Sequence, residues 1–186
     1  MIDSFRHIDR ILFHFINHDL ANPVLDFLCP WMREKLIWIP LYLLIAFLVY
    51  KKHGNKILWL GLLTVVTILI SDQTSGVFKH LVHRLRPCNN PELADSIHHL
   101  VDCGVGFSFV SAHAANHFAL ATFFSFLLGG NKKWIAFLFI WASAIALSQV
   151  YVGVHYPTDV LGGAGVGVLA ALITGNIAKR FVISNT

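Results

Sequence analysis

The chain has 186 residues, of which 56% are hydrophobic and only 13% charged, with a mean hydropathy of +0.65. A soluble domain carries about 25% charged residues; this deficit, with its long uncharged runs, excludes an ordinary soluble domain and points to a single integral membrane unit over residues 1–186. The formal charge of +4 gives little footing for nucleic acid, because the basic residues gather at segment ends, where they orient a membrane protein.

The first twenty residues contain Asp3, Arg6, Asp9, Arg10 and Asp19, which break up any apolar signal-peptide core. Residues 4–18 read as an amphipathic helix, with Phe5, Ile8, Ile11, Leu12, Phe15 and Ile16 at helical spacing and Arg6, Asp9, Arg10 and His14 between them. Such a helix either lies in the membrane interface or packs on the membrane domain. Residues 20–34, with Pro23 and Pro30, read as a short interfacial or re-entrant piece. Five spans follow, at about 36–50, 57–78, 113–129, 134–153 and 158–179. The expected fold is all-α: a bundle of about five transmembrane helices over residues 35–181, preceded by an interfacial region over 1–34. Some apolar cores fall short of the roughly 20 residues a bilayer needs, so flanking residues complete them or the bilayer thins. Trp31, Trp38, Trp59 and Trp134 stand near span ends, as interfacial aromatics do. Gly163 and Gly167 form a small-xxx-small pair in the last span, which predicts close helix packing within the chain.

Lys51, Lys52 and Lys56, then Lys132 and Lys133, then Lys179 and Arg180 fall on one face of a five-span topology, hence the cytoplasmic face. That puts the N-terminus and the polar loops outside the membrane. Cys88 and Cys103 bracket one such loop, which allows a disulfide in an oxidising space; two free thiols are the alternative.

Three polar islands interrupt the apolar sequence. Lys79 and Arg86 are seven residues apart, so on a continuous helix ending at Pro87 they share a face. A guanidinium fork and an ammonium there suit a phosphate, though cations near span ends are also common without a ligand. Ser111-Ala112-His113 stands before the third span, where a helix start offers unpaired N–H groups to an anion and Ser111 either caps the helix or donates to phosphate; His113 is placed to protonate a leaving oxygen. His155 and Asp159 flank Pro157, a residue suited to the first turn of a helix. Asp159 there can fix one imidazole tautomer and leave the other nitrogen free to attack phosphorus. His113 and His117 have a metal-ligand spacing, but nothing else in the sequence completes a ligand set. No cofactor and no metal is expected.

Taken together, the islands resemble the type 2 phosphatidic acid phosphatase superfamily: Lys79 through Arg86-Pro87; Ser111 and His113, with Val110 and Ala112 in place of the family Pro and Gly; and Ser148, His155 and Asp159, with Gln149 in place of the family Arg. The match covers about residues 56–170. The resemblance implies metal-independent hydrolysis of a lipid phosphate or diphosphate, with undecaprenyl diphosphate, phosphatidylglycerophosphate, phosphatidate and a lipid A phosphate as candidates. It implies His155 as nucleophile, Asp159 as its orienting partner, His113 as general acid, and Lys79, Arg86, Ser111 and the amide of Ala112 on the phosphate. A phosphohistidine would then be hydrolysed by water. Gln149 supplies only neutral donors, which implies a weaker phosphate site or another cation such as Arg84, and makes Gln149→Arg a gain in anion binding. The expected partners are the lipid phosphate and membrane lipids, without an obligatory protein partner. A non-catalytic lipid-phosphate binder or transporter that retains the pocket is the alternative, and Gln149 is its sequence support.

Overall fold

In the computed structural model the described residues are 2–94 and 96–183, with the side chains of residues 1–5 and 183 excluded; Phe5 of the expected apolar stripe, Met1 and residues 184–186 of the expected domain therefore fall outside the description. Seven α-helices follow in chain order: α1 (Ile2–His14), α2 (Pro23–Met32), α3 (Ile39–His53), α4 (Ile57–Val82), α5 (Ala112–Leu127), α6 (Lys132–Tyr151) and α7 (Pro157–Ile177). No strand occurs among the described residues.

Three stretches are long and apolar enough to cross a membrane: Lys35–Leu93, which holds both α3 and α4, Lys132–Tyr151 and Pro157–Val182. Their lipid-type faces are plain in the exposed Leu43, Phe47, Leu58, Val65, Leu69, Ile140, Leu161 and Ile173. The chain is a membrane protein.

α5 differs from these. It has 16 residues, about 24 Å at 1.5 Å per residue, less than the roughly 30 Å of a hydrocarbon core. It is apolar around its circumference and is enclosed by α4, α6 and α7, as such a helix should be. Close approach to α7 is set by glycine. A Cβ at Gly163 would meet the Ser111 carbonyl oxygen at 2.3 Å, and one at Gly167 would meet that of Ala115 at 2.0 Å. The small-xxx-small pair thus packs within the chain. Around α5 the main core gathers Ile45, Leu60, Phe123, Leu138, Trp141 and Ile145. A Thr67–Thr174 hydroxyl pair at 2.7 Å joins α4 to α7.

The N-terminal region packs on this bundle and leaves its apolar stripe exposed. Asp9, Phe13 and Asn17 are buried, at i, i+4 and i+8, while Ile8, Ile11, Leu12 and Phe15 are exposed. The buried line is the one carrying polar groups, because those groups have partners in the bundle: Asn17 Nδ2 donates to the carbonyls of His98 and Tyr151, both at 2.7 Å. The piece expected between residues 20 and 34 is α2. Asn22 caps it by accepting from Val24 and Leu25 N–H groups at 3.1 Å each, and Pro23 occupies its first turn.

The polar loop from His83 to Ser111 closes over the α6–α7 connection. Cys88 and Cys103 are disulfide-bonded, and Cys88 N–H donates to Gly153 O at 3.1 Å. His98 is tied into the fold: its Nε2 lies 2.8 Å from Asp26 Oδ1 and its ring packs against Tyr151.

Candidate active site

The α6–α7 connection places the nucleophile candidate. α6 ends at Tyr151, and Gly153 at φ 84° turns the chain, a conformation that suits a residue without Cβ. Val154 and His155 N–H groups both donate to Gln149 O at 3.2 Å. Pro157 then opens α7, and Asp159 closes its first turn by accepting from Tyr156 N–H at 2.8 Å. His155 is therefore fixed between two helix ends and is almost wholly buried.

Ser108 completes the arrangement. Its hydroxyl donates to Asp159 Oδ2 at 2.5 Å and lies 3.2 Å from His155 Nδ1. The direct His155 Nδ1–Asp159 Oδ2 distance is 3.6 Å, beyond a hydrogen bond. Because Ser108 has one hydroxyl hydrogen and gives it to Asp159, it accepts from Nδ1–H. That assigns the proton to Nδ1 and leaves the Nε2 lone pair free. The expected direct link between His155 and Asp159 is thus a relay through Ser108. Burial lowers the His155 pKa to about 4; the Asp159 carboxylate opposes that fall and Arg86 and Lys79 add to it. At neutral pH the ring is uncharged.

Behind Asp159 stands a buried charge chain. Arg84 Nη1 donates to Asp159 Oδ1 at 2.8 Å and to Thr158 Oγ1 at 2.7 Å, while Nη2 donates to Asp9 Oδ2 at 2.5 Å. Asp9 also accepts from the Thr158 N–H at 2.9 Å and hydroxyl at 2.6 Å. The guanidinium lies 3.8 Å over the Tyr156 ring. Two carboxylates thus share one cation, with the remaining lone pairs satisfied, which is the condition for a buried ion pair to persist. Arg84 is committed here and does not stand in for the family Arg.

Lys79 and Arg86 do not share a helix face. α4 stops at Val82, with His83 at φ 52° as its C-cap; the left-handed turn redirects the chain, and Arg86 follows in extended backbone. Both are half-buried. Lys79 Nζ donates to Phe107 O at 3.2 Å and Arg86 Nε to Gly106 O at 3.3 Å. The two act electrostatically on His155 and on each other.

Ser111 is the N-cap of α5. Its Oγ accepts from Ala114 N–H at 3.4 Å and its own N–H donates to Asp159 O at 2.9 Å, so the α5 start is tied to the nucleophile turn. The first-turn N–H groups of Ala112 and His113 have no acceptor within the helix. His113 lines a cavity of about 490 Å³ that reaches between α3, α4 and α5, with Tyr42, Asp72, Asn116 and Leu120 among its walls. His117 bonds back to His113 O at 2.8 Å and packs on Trp141. Among the described residues, three metal-type ligands come within 4.8 Å of one another at His14, His18 and Asp19, all exposed, and His113 and His117 join no such group.

Gln149 is fully buried. Its side-chain oxygen accepts from Arg33 Nε at 3.1 Å, and its Nε2 lies 3.5 Å from Ile145 O. Its amide is engaged by protein on both sides, at the position where the motif puts a phosphate ligand. Ser108, Asp9 and Arg33 are the site residues that sequence reasoning passed over. The first has no spacing signal. Asp9 was visible as a carboxylate on an apolar helix. Arg33 meets Gln149 across 116 residues.

Residues 56–182 match the PAP2 superfamily. A lipid A 4'-phosphatase of Bacteroides thetaiotaomicron is 36% identical over 174 residues, which cover 90% of this chain and 75% of its own. An undecaprenyl-diphosphatase of Sulfolobus acidocaldarius is 32% identical, over 82% of this chain and 69% of its own. The crystal structure of a transmembrane PAP2-type phosphatidylglycerolphosphate phosphatase from Bacillus subtilis matches the fold with a TM-score of 0.75 at 22% identity, covering 96% of this chain and 88% of that one. The crystal structure of Aquifex aeolicus LpxE matches with a TM-score of 0.68 at 24% identity, over 88% and 92%.

Proposed function

Because this chain belongs to the PAP2 superfamily, we propose that it is a membrane lipid phosphatase working through His155, with a lipid A-type phosphomonoester as its substrate. The observation that carries the reading is the His155–Ser108–Asp159 relay, which leaves a neutral imidazole with a free Nε2 beside Lys79 and Arg86. In the proposed reaction Nε2 attacks phosphorus while the P–O bond to the lipid breaks. His113 gives a proton to the departing oxygen. It then takes one from the water that attacks the phosphohistidine, which releases inorganic phosphate and frees His155. Lys79, Arg86, Ser111 and the first-turn amides of α5 bind the phosphoryl oxygens and offset charge that develops on them. The cavity beside His113 has polar and apolar walls, which suits a leaving group that is a sugar-bearing lipid. The similarity to a lipid A 4'-phosphatase over nine-tenths of the chain supports that choice, and the similarity to an undecaprenyl-diphosphatase makes a polyprenyl diphosphate the second substrate to try.

The same reading places five crossings, α3 to α7, in a bacterial cytoplasmic membrane, with α1 at the outer interface and the site facing out. The Cys88–Cys103 disulfide supports an oxidising side, and the exposed stripe of α1 supports contact with lipid. The test is phosphate release from purified protein in detergent, run on lipid A, undecaprenyl diphosphate, phosphatidylglycerophosphate and phosphatidate with EDTA present. Release from lipid A at the highest rate is expected. Turnover that stops in EDTA and returns with a metal ion would refute the mechanism, and preference for another lipid would refute the substrate.

A further inference from the structure

Arg33 lies just beyond α2 as its C-cap, in a region that the motif reading leaves without a role. Its Nε donates to the buried Gln149 side-chain oxygen at 3.1 Å. Gln149 also holds the nucleophile turn, since its backbone oxygen accepts from His155 N–H. Arg33 is half-buried and acts electrostatically on both Arg86 and His113. Burial lowers its pKa, with Arg86 adding to the fall and Glu34 opposing it. Arg33 thus neighbours Arg86 and His113, and Arg86 in turn neighbours Lys79. Among the described residues none of Arg33, Lys79 and Arg86 pairs with a carboxylate within 4.0 Å; their hydrogen bonds go to neutral oxygens at Gln149, Phe107 and Gly106.

Half-buried like charges without a counter-ion repel one another in a medium less polar than water. An anion seated among them removes that cost. The Arg33 bond to Gln149 uses Nε alone, and a guanidinium anchored there keeps its two terminal nitrogens for a bidentate grip on oxygen anions. Arg84, the other candidate cation, is spent on Asp9 and Asp159.

We propose that Arg33 is a substrate-binding residue that closes on the transferring phosphate together with Lys79 and Arg86, and that Gln149 is its positioning residue. Position 149 lacks a guanidinium of its own, and the N-terminal region supplies one at the same place. The assignment rests on the reading of the site as a phosphate-transfer centre, and it makes the region before α3 part of the catalytic unit.

The experiment compares wild type, Arg33→Gln, Arg33→Lys and the double variant Arg33→Gln/Gln149→Arg, all full length in detergent. Two readouts are taken with orthovanadate: inhibition of lipid turnover, and the shift in unfolding temperature measured without substrate. Arg33→Gln should weaken vanadate about 10- to 100-fold, the scale of a lost charge-assisted contact, and raise KM. Arg33→Lys, which keeps charge and loses the fork, should fall between. The double variant should recover at least about tenfold over Arg33→Gln. Unchanged vanadate affinity in folded Arg33→Gln, or no recovery in the double variant, overturns the assignment and reduces Arg33 to a tie between α2 and α6. Should Arg33→Gln fail to fold, Arg33→Lys decides: about threefold weaker binding or more supports the assignment, and wild-type affinity overturns it. A wild type that binds vanadate through Arg33 but releases no phosphate from any lipid would sink the enzymatic reading and leave Arg33 as an anion ligand. A wild type that releases phosphate while Arg33→Gln binds vanadate normally would do the reverse.

Discussion

The nucleophile side and the cation side of the site are built on opposite terms. Around His155, charges meet protein partners: Ser108 bridges the ring to Asp159, and Arg84 sits between Asp159 and Asp9. Across from it, Lys79, Arg86 and Arg33 rest on neutral oxygens. The first side pairs its charges within the protein. The second carries positive charge that, in the proposed mechanism, an anionic phosphate neutralises. In the proposed mechanism orientation of the nucleophile and grip on the phosphate reside in different side chains, and variants should separate them, the first through kcat and the second through KM and vanadate.

The most severe break is His155→Ala. Turnover should fall by about four powers of ten or more, as when a member of a catalytic unit is removed, while the unfolding temperature changes little. Phosphate release at even a tenth of the wild-type rate would end the covalent mechanism. Next is Ser108→Ala, which leaves His155 and Asp159 facing each other at 3.6 Å with no bridge. A kcat loss of about 10- to 100-fold is expected, the scale of a hydrogen bond to a charged group, with KM and vanadate inhibition near wild type. If KM rises instead and kcat holds, Ser108 belongs to the cation side.

The pH profile sharpens the same division. In the proposed mechanism His155 attacks only when neutral, hence above its pKa, which burial lowers to about 4. In the free enzyme kcat/KM should hold as pH drops through the ordinary histidine range near 6.5 and fall only as it approaches about 4. An acid limb centred near 6.5 would show a solvated imidazole. The smallest effect on turnover is expected from Cys88→Ser with Cys103→Ser. A bridge with a sequence separation of 15 contributes roughly 3 kcal/mol in the chain-entropy model, so unfolding temperature should fall while kcat stays within about twofold. Alkylation of both thiols in unreduced protein taken from the membrane would contradict the bond and the outward placement.

The helices were legible in the sequence because hydrophobic runs and their polar ends are local features. α4, α6 and α7 begin within two residues of the expected spans. The helix-end positions of Ser111, His113, Pro157 and Asp159 were legible because capping residues and a first-turn proline are local signals. The end of α4 was not, since it depends on His83 adopting a left-handed cap, which residue type alone does not dictate. Ser108, Arg33 and the Asp9–Arg84 pair join groups separated by 51, 116 and 75 residues. Periodicity carries no signal over such distances. Gln149 was legible as a departure from the motif, and its contact with Arg33 was not. With Arg33 against it, Gln149→Arg alone would set two guanidiniums side by side rather than add a phosphate ligand.

Asp9 belongs to the first helix, yet its carboxylate holds Arg84 and Thr158, the neighbours of the catalytic carboxylate. Anyone handling this protein should treat its start as part of the machinery. A purification tag or fusion partner that displaces α1 by one turn would leave Arg84 with Asp159 as its one carboxylate partner, and the imidazole would lose its alignment without any substitution near it. The same holds for a harsh detergent that peels α1 from the bundle. Activity lost on extraction should then return when the protein is put back into a bilayer, because nothing covalent has changed.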